Sequence, residues 1–254
     1  MATVVHTRPL IATLSLSVVD SDQWSMPGFN GIPSLVEALA SVQSTEFVDT
    51  GALQAIEEKA REVAPVVVVN PRGQANNSDA VDDVDAEDDL PVMNRFEVVF
   101  DPSWATDLAR HNSSFGNLAE RLVDLTRSMA VDGHGADLRP FWRLIVGFPG
   151  AEMQRWYADD VDDASIILCD VPLATDGAHV RFPLGSDGEP IDLAGECASE
   201  FETAECVVYT ADAVHYYTKV TESAPRVTLQ LIMSNRGDPN DCIPSDFEDS
   251  GEED

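Results

Sequence analysis

Hydrophobic and polar positions change their period along this chain. In the first 130 residues strand-like and helix-like patterns alternate, and beyond Phe141 the apolar runs are short and strand-like. Leu10 to Val19 alternates and is rich in leucine and β-branched residues, which predicts a strand. Pro27-Gly28 and Asn30-Gly31 are turn signals. Pro33 and Ser34 then open a helix with Leu35, Val36, Leu39 and Val42 on one face. Thr50 to Val63 reads as a second helix, with Leu53, Ile56 and Ala60 on one side and Glu57 and Arg61 at i,i+4. Val66 to Val69 reads as a buried strand ended by Pro71-Arg72-Gly73. Arg95 to Phe100 predicts another strand. Ser103 to Ala109 and Asn117 to Met129 read as helices, the latter with Leu118, Leu122 and Leu125 on a face.

From Trp142 onward seven strands are expected: Trp142 to Phe148, Glu152 to Tyr157, Ser165 to Val171, His179 to Phe182, Cys206 to Thr210, His215 to Val220 and Val227 to Met233. Pro149-Gly150, Asp176-Gly177 and Asp187-Gly188 mark turns between them. Short strands with regular turns predict a sandwich or barrel of the jelly-roll kind. The expected class is α+β, one domain with a jelly-roll core and flanking N-terminal helices. Its parts are residues 1–72, a mixed region of the same domain; 73–91, an acidic mobile loop; 92–235, the β core; and 236–254, a disordered acidic tail.

Charge narrows the partners. The chain has 46 Asp and Glu against 15 Lys and Arg, a net charge of −31. Residues 79–89 and 238–254 are locally dense in acids. Such a surface repels phosphate backbones, because nucleic-acid affinity rests on Lys and Arg releasing counterions. Nucleic acid and anionic membranes are excluded on this ground, and a basic protein that engages the acidic segments is the macromolecular partner the charge permits. The acidity is read first as a solubility device. Asp79, Asp82, Asp83, Asp85 and Asp89 lack the central glycine and closing glutamate of an EF-hand, so a calcium loop is discounted.

Four cysteines (Cys169, Cys197, Cys206 and Cys242) show no metal-finger spacing. Cys169 and Cys206 sit in apolar runs, where a thiol is a small buried hydrophobe. The N-terminus lacks the basic-then-apolar pattern of a signal peptide, and no apolar run approaches the roughly 20 residues needed to span a bilayer. A cytoplasmic protein with reduced thiols is the expectation. No nucleophile elbow, Walker loop or dinucleotide fingerprint is present.

The residues most suggestive of chemistry are Gln154-Arg155-Trp156-Tyr157-Ala158-Asp159, then His215, 56 residues after Asp159, then Arg226. With Asp170-Val171-Pro172-Leu173 and the stretch from Gly177 to Ser186 they form an ordered set. That set resembles the core of the phytanoyl-CoA-hydroxylase-like 2-oxoglutarate and Fe(II)-dependent dioxygenases over residues 152–233. The resemblance implies a double-stranded β-helix. It further implies that Asp159 and His215 hold Fe(II), that Arg226 receives the far carboxylate of 2-oxoglutarate, and that a small molecule is oxidised. Two histidines and a carboxylate leave positions open for oxygen, and an arginine fork matches a carboxylate.

Tyr157 stands where the resemblance expects the first histidine. Residues i and i+2 of a strand project together, so Tyr157 shares the face of Asp159. A neutral phenol, with a pKa near 10, is a poor ligand for Fe(II). Three outcomes stay open: a degenerate, inactive member with no bound cofactor; a site that recruits Asp160 or His179; or an unusual site that uses Tyr157 itself. Each residue also has a plainer reading. Asp159 belongs to an acidic turn, His215 to a core in which a backbone carbonyl satisfies it, and Arg226 to a salt bridge. A non-catalytic binding or scaffold protein is the alternative from another class.

Overall fold

Nine consecutive buried residues, Arg226–Ser234, form the middle strand of the larger of two antiparallel sheets. The computed structural model describes residues 11–14, 31–43, 66–73, 93–101, 113–128, 138–151, 166–174, 179–191, 197–203, 205–218 and 224–235, with single residues 54, 58, 61, 62, 103 and 220. Its strands are β1 (Ile11–Leu14), β2 (Val66–Gly73), β3 (Met93–Phe100), β4 (Arg139–Gly147), β5 (Ile167–Ala174), β6 (Val180–Leu184), β7 (Ser199–Thr203), β8 (Cys206–Thr210), β9 (Tyr216–Tyr217) and β10 (Arg226–Ser234). The helices are α1 (Gly31–Gln43) and α2 (Ser113–Ser128).

The larger sheet runs β1-β8-β5-β10-β4-β3-β2 and the smaller β7-β6-β9. The pairings β6·β7, β5·β8 and β4·β10 are nested, as in the two arms of one long hairpin. The hairpin is also wound on itself, because β5 pairs with β10 and β6 with β9. Among the described residues the fold is mostly antiparallel and β-rich, with few helices.

Strand alternation gives the large sheet two faces. Phe96, Leu144, Cys169, Val208, Leu229 and Leu231 share one apolar cluster with Leu35 and Leu39 of α1 and Leu122 of α2. Helix α1 lies against β3, and α2 against β10 and β5. On the opposite face Ile145, Leu168, Val207 and Ile232 meet Val180, Phe182 and Tyr217 of the small sheet. The first face will be called outer and the second inner.

Several expectations met the structure with differences. The predicted stop at Pro71 is corrected: β2 continues to Gly73, because it is an edge strand, where a residue without an N–H is tolerated. The strand expected over His215 to Val220 shortens to two residues preceded by a bridge at His215. Strand β7, Ser-Glu-Phe-Glu-Thr, was not foreseen. It lacks apolar alternation and is held by ion pairs of Arg181 to Glu200 (3.0 Å) and Glu202 (2.7 Å) and by Phe201 beside Phe182. Gly150 and Gly188 occupy left-handed backbone at the two expected turns, Pro149-Gly150 and Asp187-Gly188. The expected strand Glu152 to Tyr157, the loop at 73–91 beyond Gly73 and up to Pro91, the tail at 236–254 and most of the second helix lie outside the described residues. No described helix is long and apolar enough to cross a membrane.

Candidate functional site

The inner face is where polar chemistry collects. Arg95 and Glu97 of β3, Arg143 of β4, Asp170 of β5 and Gln230 of β10 are all buried there. They form a continuous chain of contacts. Glu97 pairs with Arg95 through Oε1 (2.9 Å) and with Arg143 through Oε2 (3.2 Å). The Arg143 Nε donates to Gln230 Oε1, and Gln230 Nε2 donates to Asp170 Oδ1 at 2.6 Å. A guanidinium only donates and a carboxylate only accepts, so the two neighbours dictate which way the Gln230 amide points. Asp170 Oδ2 accepts from Tyr217 at 2.7 Å and more weakly from Tyr209 at 3.4 Å. The Arg95 guanidinium lies 4.7 Å over the Tyr217 ring, which closes the circuit. Since Tyr217 belongs to β9, this circuit bonds the two sheets together.

Beside the circuit a small, partly open cleft is lined by Arg95, Tyr217, Thr218, Arg226 and Thr228, with Ile145, Gly147, Ala151 and Val220 as its apolar walls. Arg226, the first residue of β10, is buried there and donates from Nη1 to the Thr218 carbonyl at 2.6 Å. Thr218 in turn donates its N–H to the His179 carbonyl at 3.1 Å. His179 is fully buried, and neither ring nitrogen has a hydrogen-bond partner among the described residues. Burial first, and then the charge of Arg226, push its pKa down to about 4, so the ring is neutral at pH 7.

His215 is also fully buried, and its Nδ1 donates to the Ala213 carbonyl at 2.8 Å. That bond places the proton on Nδ1 and the lone pair on Nε2, the tautomer in which an imidazole ligates metal. Its ring packs against Tyr209 (4.9 Å), Phe182 (5.8 Å) and Tyr217 (5.8 Å). Tyr217 therefore both touches His215 and lines the cleft with Arg226. The carbonyl contact expected of a plain core histidine is present, and the same contact suits a ligand.

Of the four residues singled out from sequence, His215 and Arg226 lie between the sheets, joined through Tyr217. Tyr157 and Asp159 lie outside the described residues, as does Asp160. Among the described residues no group of three or more His, Cys, Asp or Glu side chains could hold a metal ion. The circuit around Arg95, Glu97, Arg143, Asp170, Tyr217 and Gln230 was missed from sequence. Its signal was present: in β3 Arg95 and Glu97 alternate with Phe96 and Val98, and in β10 Thr228 and Gln230 alternate with Leu229 and Leu231.

The outer face holds Cys169 and Cys206, both buried, with sulfurs 3.5 Å apart. Their mutual hydrogen bond, and then burial, push the Cys169 thiol well up, so it stays protonated.

No family model and no curated protein matches this chain. Solved structures similar to it include EvdO2 from Micromonospora carbonacea var. aurantiaca complexed with 2-oxoglutarate (14% identity, 58% of this chain and 72% of that one, TM-score 0.40). A Pseudomonas putida prolyl-4-hydroxylase aligns at 17% identity over 80% of this chain and 98% of its own, TM-score 0.40. HygX from Streptomyces hygroscopicus, with nickel and 2-oxoglutarate bound, aligns at 11% identity over 78% and 86%, TM-score 0.41. Likenesses this distant bear on neither activity nor ligand.

Proposed function

We propose that this chain is a double-stranded β-helix protein of the 2-oxoglutarate/Fe(II) dioxygenase kind, which receives a small organic acid such as 2-oxoglutarate on Arg226. We further propose that Tyr157, in place of an imidazole, leaves it a poor iron enzyme, with Asp159 and His215 the remnants of the metal site. The nested, wound pairing of β4 through β10 supports the fold. The observation that carries the reading is that Tyr217, between the sheets, packs against His215 and lines the same cleft as Arg226.

The chemistry of this chain's own residues is that of binding. Arg226 is oriented by the Thr218 carbonyl before a ligand arrives, so little side-chain entropy is lost on binding. Tyr217, held by Asp170, and the apolar walls exclude water around the guanidinium, which strengthens its attraction for a carboxylate. His179 stays neutral beside Arg226 and adds no competing charge at pH 7.

The test is anaerobic addition of Fe(II) and 2-oxoglutarate, with metal content and the visible charge-transfer band as readouts. The native protein is expected to give little iron and no band, and Tyr157→His to gain both. A full band in the native protein would overturn the role given to Tyr157. A folded Tyr157→His protein that takes up neither iron nor 2-oxoglutarate would overturn the family reading.

A further inference from the structure

We propose that Arg95, from a strand outside the dioxygenase-like motif, is the second arm of a two-arginine site, so that the carboxylate end of a small organic acid sits in the cleft that Arg95 and Arg226 both line. This inference rests on the assignment of Arg226 as the anion-binding residue and adds the residue that completes the fork.

Register places the two arginines on one rung. Arg95 of β3 and Arg226 of β10 are both partners of Gly147 on β4, one from each side. Two strand spacings put their backbones about 10 Å apart. Both side chains are buried and line the same cleft, so they project to the same face. The residue between them has no side chain. A Cβ at Gly147 would come within 3.1 Å of Val220 Cγ2, so glycine lets Val220 roof the rung closely. Thr228, next on that face of β10, adds a hydroxyl to the lining.

Both guanidiniums are held before any ligand binds. Arg226 is fixed by the Thr218 carbonyl, and Arg95 by Glu97 and the Tyr217 ring. Glu97 and Asp170 balance Arg95 and Arg143 across the circuit, and Arg226 adds one positive charge at the cleft. A concave site at which Arg226 brings a net positive charge, in a chain of net charge −31, is a local inversion of the protein's field. Two guanidiniums that line one cleft suit a carboxylate, which can accept from both on its two oxygens. The cleft is small and open on one side, so the acid enters carboxylate first and its remainder stays outside the rung.

The experiment is titration calorimetry in EDTA, which removes metal from the question, with 2-oxoglutarate and inorganic phosphate as probes. The native protein is expected to bind 2-oxoglutarate. Arg95→Gln and Arg226→Gln should each weaken binding by about tenfold or more, as loss of a charge-assisted bond does. Arg95→Lys, which keeps the charge and loses the fork, should weaken it by a few fold, and phosphate should bind more weakly than the acid. Binding by Arg95→Gln within twofold of native, while Arg226→Gln fails, would overturn the role of Arg95 and leave the assignment of Arg226 standing. Binding by both variants within twofold of native would overturn both. No binding of either probe to the native protein would overturn the two-arginine site, whereas iron uptake by Tyr157→His is decided separately. If Arg95→Gln does not fold, the Arg95 side-chain Nε–H resonance of the native protein decides: it must shift as 2-oxoglutarate is added, and an unmoved resonance overturns the proposal.

Discussion

The two faces of the large sheet are built from the same strands and do opposite things. Along β10, Val227, Leu229, Leu231 and Met233 enter the outer apolar cluster, while Arg226, Thr228 and Gln230 face the polar interior. Both faces are buried. The outer one is non-directional: its stabilisation scales with the apolar area removed from water, and neighbours can adjust. The inner one is directional, since each buried charge is tolerable only while its partner stays in place. The contrast is between a face that ties down the fold and a face whose buried charges depend on fixed partners.

The largest expected effect comes from breaking the inner circuit at its most shared member. Glu97→Gln leaves Arg95 and Arg143 without their common carboxylate, and urea unfolding should show a loss of roughly 3–5 kcal/mol. An outer-face truncation, Leu229→Ala, is expected to cost a similar ~2–5 kcal/mol through its cavity. Ligand binding separates the two variants: Leu229→Ala should leave binding of 2-oxoglutarate unchanged, whereas Glu97→Gln should disturb it through Arg95. Equal effects of both variants on binding would erase the distinction between the faces.

A smaller effect concerns acid. The folded pKa of His179, about 4, lies below that of an exposed imidazole, so the unfolded chain takes up the proton first as pH falls. Stability present above pH 6.5 is therefore lost as pH drops towards 4. Between pH 7 and 5 His179 should account for about 2 kcal/mol of that loss, at 1.36 kcal/mol per pH unit. His179→Leu should flatten the difference, as read from denaturant midpoints at the two pH values. An unchanged slope would show that the ring is solvated or paired in solution.

The smallest effect lies on the solvent side of the small sheet. Arg181 pairs with Glu200 and Glu202 at the surface, so Arg181→Ala should cost less than about 1 kcal/mol. That loss should shrink in high salt, because exposed pairs are screened. A cost comparable to that of Glu97→Gln would mean that β7 is held more by charge than by Phe201.

Much of the strand count was legible because apolar alternation survives in the core strands: Cys206 to Thr210 and Val227 to Met233 match β8 and β10 nearly residue for residue. Strand β7 was not legible, because Glu200 and Glu202 owe their place to Arg181 across the sheet rather than to any local pattern. The inner circuit escaped for the opposite reason. Alternation of Arg95 and Glu97 with Phe96 and Val98 has the signature of a half-exposed strand, and only the second sheet lying over it converts solvent-facing charges into buried ones.

By itself the sequence determined the local chemistry: which segments extend, where glycine turns the chain, and that His215 and Arg226 stand 11 residues apart. Tertiary structure alone decided that Arg95 and Arg226, over 100 positions apart, share a rung on Gly147 and line one cleft. The physical reason is that strand pairing couples residues by register across the sheet, a relation set by the winding of the whole hairpin and invisible to any periodicity along the chain.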